Sequence, residues 1–183
     1  MPRTTPITSK SDMPAEHQDV AEDVLKVFFG RIRGPFSILL HAPNLAKRLL
    51  PLVPYFRHGG VISGAHRSLA TITAVRECDA AYVWAAQVET GRKNGLSEEA
   101  IAVVRSKGDP AKLPPDERDI INYIRQAVRT NRVDQATFDS LKSRHNDEWI
   151  VEMTAAGTYY LFIAKFLNPF EIPAPPDGDK LPG

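Results

Sequence analysis

The sequence predicts an all-α fold of six or seven helices, and three observations carry that expectation. Apolar residues recur at helical spacing almost everywhere between Ala15 and Phe166. No run shows the sustained period-two alternation of a half-buried strand. Glycine and proline, as in Gly34-Pro35, Gly59-Gly60, Gly95 and Pro114-Pro115, punctuate the periodic stretches where helices would stop or start.

Taken in order, the first helix is expected from about Ala15 to Ile32, with Val20, Val24, Val27 and Phe28 on one face. Asn44 to Tyr55 reads as one or two short helices, limited by Pro51 and Pro54, because proline lacks the amide that a helix interior needs. The longest pattern runs from about Ala65 to Lys93, with Gly95 placed as its left-handed stop. Ser97 can cap the next helix, with Leu96 and Ile101 spaced as a hydrophobic staple. Pro115, Asp116 and Glu117 suit the first turn of another, which carries Ile120, Ile124, Ala127 and Val128 inward. Asp134 repeats the capping arrangement, with Val133 and Phe138 as the staple. The last helix, about Asp147 to Phe166, is nearly apolar all round from Met153 onward, as in a core or a subunit interface.

A chain of 183 residues can bury one substantial core without disulfides or metals, so one domain is expected over 16–172. Residues 1–15 and the Pro-rich tail 173–183 read as surface segments that fray. The charges, 23 basic against 22 acidic, are scattered, which argues against nucleic acid as a partner. The apolar stretch Thr154 to Leu167 falls short of the roughly 20 residues a spanning helix needs, so no membrane partner is expected. The N-terminal residues lack the apolar core of a secretory signal, and the lone Cys78 fits a reducing compartment; the expected location is the cytoplasm. No histidine pair has ligand spacing, so no metal is expected, and no cofactor.

The segment Glu77-Cys78-Asp79-Ala80-Ala81-Tyr82-Val83-Trp84-Ala85-Ala86-Gln87, followed by Gly95-Leu96-Ser97-Glu98-Glu99-Ala100-Ile101, resembles the signature region of the carboxymuconolactone decarboxylase and alkyl hydroperoxidase D superfamily. Gly34-Pro35 with Leu39 to Ala46, and Glu152-Met153-Thr154 through Tyr159-Tyr160 to Phe170, resemble its opening and closing helices. The resemblance implies an alkyl hydroperoxidase D-like helical bundle and a homo-oligomer, a trimer or hexamer, with the closing helix in the interface. In the peroxidase branch the long helix carries a Glu, a Cys-x-x-Cys pair and a His; those places fall on Ser68, Ala80, Val83 and Gln87, all replaced here. Cys78 lies two residues before the first cysteine place, about 200° around a helix. Disulfide-cycling peroxidase activity is therefore disfavoured.

The leading function that the resemblance implies is a cofactor-independent, lyase-type enzyme acting on a small organic acid or lactone. On one continuous helix Ser68, Ile72, Arg76, Ala80, Val83 and Gln87 would share a stripe, the stripe that carries the active site in relatives. Arg76 and Gln87 could hold a carboxylate or an enol oxygen there, and Tyr82 could donate a proton. The alternative for Arg76 is an ion pair with Glu77, Asp79 or another subunit; for Tyr82 it is packing. Ser68, Trp84 and His66 are candidates to line a substrate site, and His58, beside Gly59-Gly60, is the candidate base against a solvated turn histidine. Two rival readings are a peroxidase-related redox protein, which needs a reactive Cys78, and a non-catalytic member that binds a small molecule.

Overall fold

The computed structural model describes residues 1–182, and among them there is no strand. Helices α1 (Gln18–Val27), α2 (Pro35–Leu39), α3 (Pro43–Leu49), α4 (Leu52–His58), α5 (Gly64–Glu77), α6 (Ala81–Lys93), α7 (Glu98–Arg105), α8 (Pro115–Thr130), α9 (Gln135–Lys142) and α10 (Asp147–Leu167) follow in chain order. Short 3-10 turns lie at Lys10–Asp12, Ala15–His17 and Asn168–Phe170.

Local chemistry explains most of these boundaries. The Ser97 hydroxyl accepts from the Ala100 N–H at 3.1 Å, and Asp134 accepts from the Thr137 N–H at 2.7 Å. These caps satisfy amides that the first turn of a helix leaves without a partner. Pro115 opens α8, where a missing N–H costs nothing.

The chain is nevertheless cut into more pieces than six or seven. Helix α1 ends at Val27, short of Ile32, because Phe29 and Gly30 both turn left-handed, at φ 54° and 82°. The more consequential departure is the expected continuous helix from Ala65 to Lys93, which is instead α5 and α6 joined by a turn at Cys78–Ala80. Asp79 adopts φ 50°, and the Ala80 N–H returns to the Val75 carbonyl at 3.0 Å. That is the helix-ending pattern usually built on glycine, with Asp79, a residue whose short polar side chain tolerates it, in glycine's place.

Contacts group the chain into two compact units, residues 1–59 with 166–173, and residues 60–165 with 174–183. In the first, Ile7, Met13, Val20, Val24, Phe36, Leu39 and Val53 share a core, and Phe166 packs against it. The N-terminal segment, expected to fray, contributes Ile7 and Met13 to this core, and the Arg3 N–H donates to the Phe170 carbonyl at 3.0 Å. Burying two apolar side chains offsets the entropy of ordering a segment whose Pro, Ser and Thr content reads as loop.

In the second unit α5 is the central element, buried continuously from Arg67 to Arg76 and packed against α6, α7 and α8. Helix α6 folds back along it, so that the Asn94 side chain donates to the Ser68 hydroxyl at 3.0 Å. Helix α10 approaches closely at Gly157, where a Cβ would stand 2.8 Å from Ile124 Cδ1 and 3.3 Å from the Ala70 carbonyl oxygen. A Cβ there would push the tip of Ile124 aside and press on the Ala70 carbonyl, so glycine suits the close approach. With its 3-10 extension α10 spans 147–170, long and apolar enough to cross a membrane by length and composition alone, in contrast to the expectation from the Thr154–Leu167 stretch. The core helix of a folded unit passes the same test.

Candidate functional site

The turn at Asp79 redistributes the residues singled out from sequence. Ser68 and Arg76 lie on α5, while Tyr82, Trp84 and Gln87 lie on α6, so the expected single stripe of one helix does not exist. Ser68 is buried between the two helices and takes the Asn94 hydrogen bond. Arg76 is buried too, with Nε donating to the Arg105 carbonyl at 2.7 Å and Nη1 paired with Asp79. Its guanidinium thus ties the α5–α6 turn to the C-terminal end of α7, the ion-pair alternative rather than an open carboxylate holder. Tyr82 and Gln87 are half-buried, and two positions separate Tyr82 from Trp84, placing them on different sides of α6. His58 is exposed at the end of α4 in the first unit, whereas the other six candidates belong to the second. The glycine cradle read as an approach for a ligand is occupied at Gly60 by the Glu152 carboxylate, which accepts from the Val61 N–H at 2.6 Å.

Trp84 leads to the best-formed polar site. Its ring is fully buried, and the indole Nε1–H donates to Asp179 Oδ1 at 3.0 Å. Arg105 Nη2 donates to both oxygens of the same carboxylate, at 2.8 and 2.7 Å, and Arg92 Nη2 donates to Oδ2 at 3.0 Å. The Arg105 guanidinium also lies 5.8 Å from the centre of the Trp84 ring. Arg92 is steadied by Glu98, through Nε at 2.6 Å and Nη2 at 3.2 Å. Three N–H-bearing groups from α6 and α7 therefore converge on one carboxylate, which arrives from the Pro-rich tail. Asp179 is 13% exposed; burial pushes its carboxyl up, but hydrogen bonds from Trp84, Arg105 and Arg92 outweigh this and hold it below the usual carboxylate range. Charge-assisted donors around a half-dry carboxylate are the chemistry by which proteins hold small acids.

Sequence reasoning missed Arg92, Arg105 and Asp179. Trp84, Val88 and Arg92 follow one another at four-residue spacing, which places Trp84 and Arg92 on adjoining faces of α6. That signal was available. Arg105 and Asp179 gave none, since a lone Arg ending a helix and an Asp in a proline-rich tail both read as solvated.

A second polar cluster surrounds His66. Its ring meets Trp149 edge-on at 5.8 Å, and His145 stacks on the other part of the cluster, 3.7 Å from the Trp149 ring and nearly parallel to it. Burial lowers the His66 pKa, favouring the neutral ring. His145 Nε2 is 3.0 Å from Asp116, which Arg144 also holds at 2.7 Å; Arg144 reaches Asp119 at 2.6 Å, and Ser140 donates to Asp119 at 2.6 Å. Every carboxylate here is rooted in α8 and answered by neighbours on α8, α9 and the loop that follows it.

In the first unit an open groove of about 410 Å³ is lined by Val20, Asp23, Lys26, Val27, Lys47 and Leu50, with Pro51 and Pro54, and contains none of the candidate residues. Cys78 is half-buried, its Sγ directed to the Val75 carbonyl at 3.4 Å, and burial pushes its thiol pKa up. That environment disfavours the thiolate which a redox cycle needs. Among the described residues no group of three or more His, Cys, Asp or Glu side chains is arranged to hold a metal ion.

No protein-family model matches this chain, and no curated protein matches it.

Proposed function

We propose that the protein is a divergent relative of the carboxymuconolactone decarboxylases that takes up a small organic acid or lactone carboxylate on Trp84, Arg92 and Arg105. The observation supporting this reading is the convergence of the indole N–H and two guanidinium groups on one carboxylate at 2.7–3.0 Å. Trp84 lies in the stretch that resembles the family signature, and α7, which carries Arg105, is opened by the Gly95-Leu96-Ser97 of that stretch. In the lyase-type reading, which needs no cofactor, these donors orient the acid and stabilise negative charge as a bond to carbon breaks.

A second reading, a binding protein without catalysis, draws on a specific observation. Arg76, the cation first assigned to catalysis, is committed to Asp79 and to the Arg105 backbone. An alkyl hydroperoxidase D-like architecture, the homo-oligomer and a cytoplasmic location belong to the same proposal.

The experiment is calorimetric titration of small aromatic and lactone carboxylic acids into the protein, into Asp179→Asn, and into Asp179→Asn with Arg105→Ala. Uptake by Asp179→Asn that disappears with Arg105→Ala supports the reading. Folded variants that take up no acid overturn it. For any acid that does bind, release of carbon dioxide separates the lyase from the binder.

A further inference from the structure

The even balance of charge over the whole chain hides a local imbalance in the first unit. Between Asp23 and Glu77 the sequence contains no acidic residue. The part of that stretch in the first unit carries Lys26, Arg31, Arg33, Lys47, Arg48 and Arg57. Lys26 and Lys47 are answered by Asp23 and Asp19 of α1. Arg31 and Arg33, on the loop after α1, are exposed, and their guanidinium groups meet no acceptor among the described residues. Arg48 reaches only the Asn44 carbonyl of its own helix, at 2.7 Å.

The same loop presents an aromatic side chain to solvent at a cost in backbone conformation. Phe29 is 88% exposed. The Gly30 N–H returns to the Leu25 carbonyl at 2.7 Å, and Phe29, at φ 54°, stands where glycine usually ends a helix. A bulky residue there is strained, and strain that holds a side chain in solvent points to a use for that side chain. The loop beneath it is anchored. The Phe28 ring lies 5.2 Å from the Phe36 ring and 4.6 Å from the Arg57 guanidinium, and Ile32 is buried between the two exposed arginines. Arg57 also donates to the Val27 carbonyl at 3.4 Å, which brings α4 to this end of α1. Helix α4 in turn exposes Leu52 and Tyr55, three positions apart on one face.

We infer that this end of the first unit docks on the surface of an anionic lipid bilayer, with Phe29 entering the headgroup region and Arg31 and Arg33 on the anionic headgroups. A bilayer is apolar just beneath a negative layer, so it matches both the protruding aromatic and the cations beside it. A nucleic acid would match the arginines and make no use of Leu52. An acidic protein would have to supply a pocket for a side chain that stands clear of the fold, whereas a bilayer accepts it without one. A surface contact needs no spanning segment, so the expectation of no membrane partner, which rested on the lack of one, does not bear on it. With few cations and one main aromatic the contact is weak and reversible. All of its residues belong to the first unit, and it depends on neither the acid site nor its chemistry.

The test is cosedimentation of the full chain with vesicles of phosphatidylserine and phosphatidylcholine in equal parts, beside vesicles of phosphatidylcholine alone, with helicity followed by circular dichroism. The expected result is binding to the anionic vesicles at about millimolar lipid, absent with phosphatidylcholine and lost as salt screens the arginines. Arg31→Ala and Arg33→Ala each lower the partition coefficient about fivefold, the share of one cation at the surface. Phe29→Asn lowers it about tenfold and keeps the fold, since asparagine adopts the left-handed conformation more readily than phenylalanine. Lys112→Ala, which removes an exposed cation of the second unit, leaves binding unchanged. A chain that stays in the supernatant with anionic vesicles overturns the inference, as does binding that Phe29→Asn and Arg31→Ala leave intact. Retention by single-stranded DNA or by polyglutamate in place of vesicles overturns it in favour of a nucleic acid or an acidic protein.

Discussion

The second unit contains two arginine–carboxylate networks that look alike in composition and differ in how the acid is delivered. Around α8, Asp119 is buried and accepts from Arg118 at 2.7 Å, Ser140 at 2.6 Å and Arg144 at 2.6 Å. Around α6 and α7, Asp179 accepts from Trp84, Arg92 and Arg105, but it hangs from a tail whose backbone is tied locally by the Gly178 N–H to the Pro175 carbonyl. Asp119 cannot leave its arginines without unwinding a helix. Asp179 can leave with the tail, because little other structure unfolds when it does. A carboxylate carried by a core helix therefore serves stability, and one carried by a tail marks a place where a free acid could stand.

The largest expected effect falls on the helix-borne network. Asp119→Ala takes from Arg118, Ser140 and Arg144 the one buried carboxylate they share between α8, α9 and the loop after it, and is expected to cost about 2 kcal/mol in urea unfolding. If Asp179→Ala costs as much, the distinction fails. The tail network is expected to lose only about 1 kcal/mol with Asp179→Ala, because the tail can move aside and let water reach Arg92 and Arg105 with little other structure lost. Its distinctive readout is local: the Gly178 amide should exchange at nearly unprotected rates while α5 amides stay slow. A smaller effect still is expected from Trp84→Phe, which keeps most of the buried volume and removes the indole N–H. Tail amides should again exchange faster, and global stability should fall by about 1 kcal/mol or less for the hydrogen bond itself.

Acid sharpens the same contrast. Burial raises the Asp119 carboxyl, but hydrogen bonds from Arg118, Ser140 and Arg144 outweigh it and bring the pKa to about 2. A folded pKa below the unfolded value near 3.9 means stability that is present above about pH 4 and lost as pH falls toward 2. Thermal unfolding across that interval should show a steeper decline for the wild type than for Asp119→Asn, and equal slopes would contradict the assignment.

Much of the helical order is legible in the sequence. The starts of α7, α8 and α9 follow from Ser97, Pro115 and Asp134, and α10 runs from Asp147 as its periodicity requires. The break at Asp79 was not legible, because the helix-ending position is normally marked by glycine and here an aspartate holds it with help from Arg76 and Lys107. Of the candidate residues, Trp84 is the one that reaches Asp179, Arg92 is legible from its spacing to Trp84, and Arg76 is engaged by Asp79 and the Arg105 carbonyl.

The sequence by itself determined that the chain is helical and where most helices begin, because caps, first-turn prolines and apolar periodicity act over a few residues. Only the tertiary structure decided which acid answers which base. Trp84 and Asp179 are 95 residues apart, and Arg105 and Asp179 are 74 apart. Nothing local distinguishes a solvated aspartate in a proline-rich tail from one that two arginines and an indole enclose, since the difference lies in desolvation and donor geometry that exist only once α6, α7 and the tail have come together.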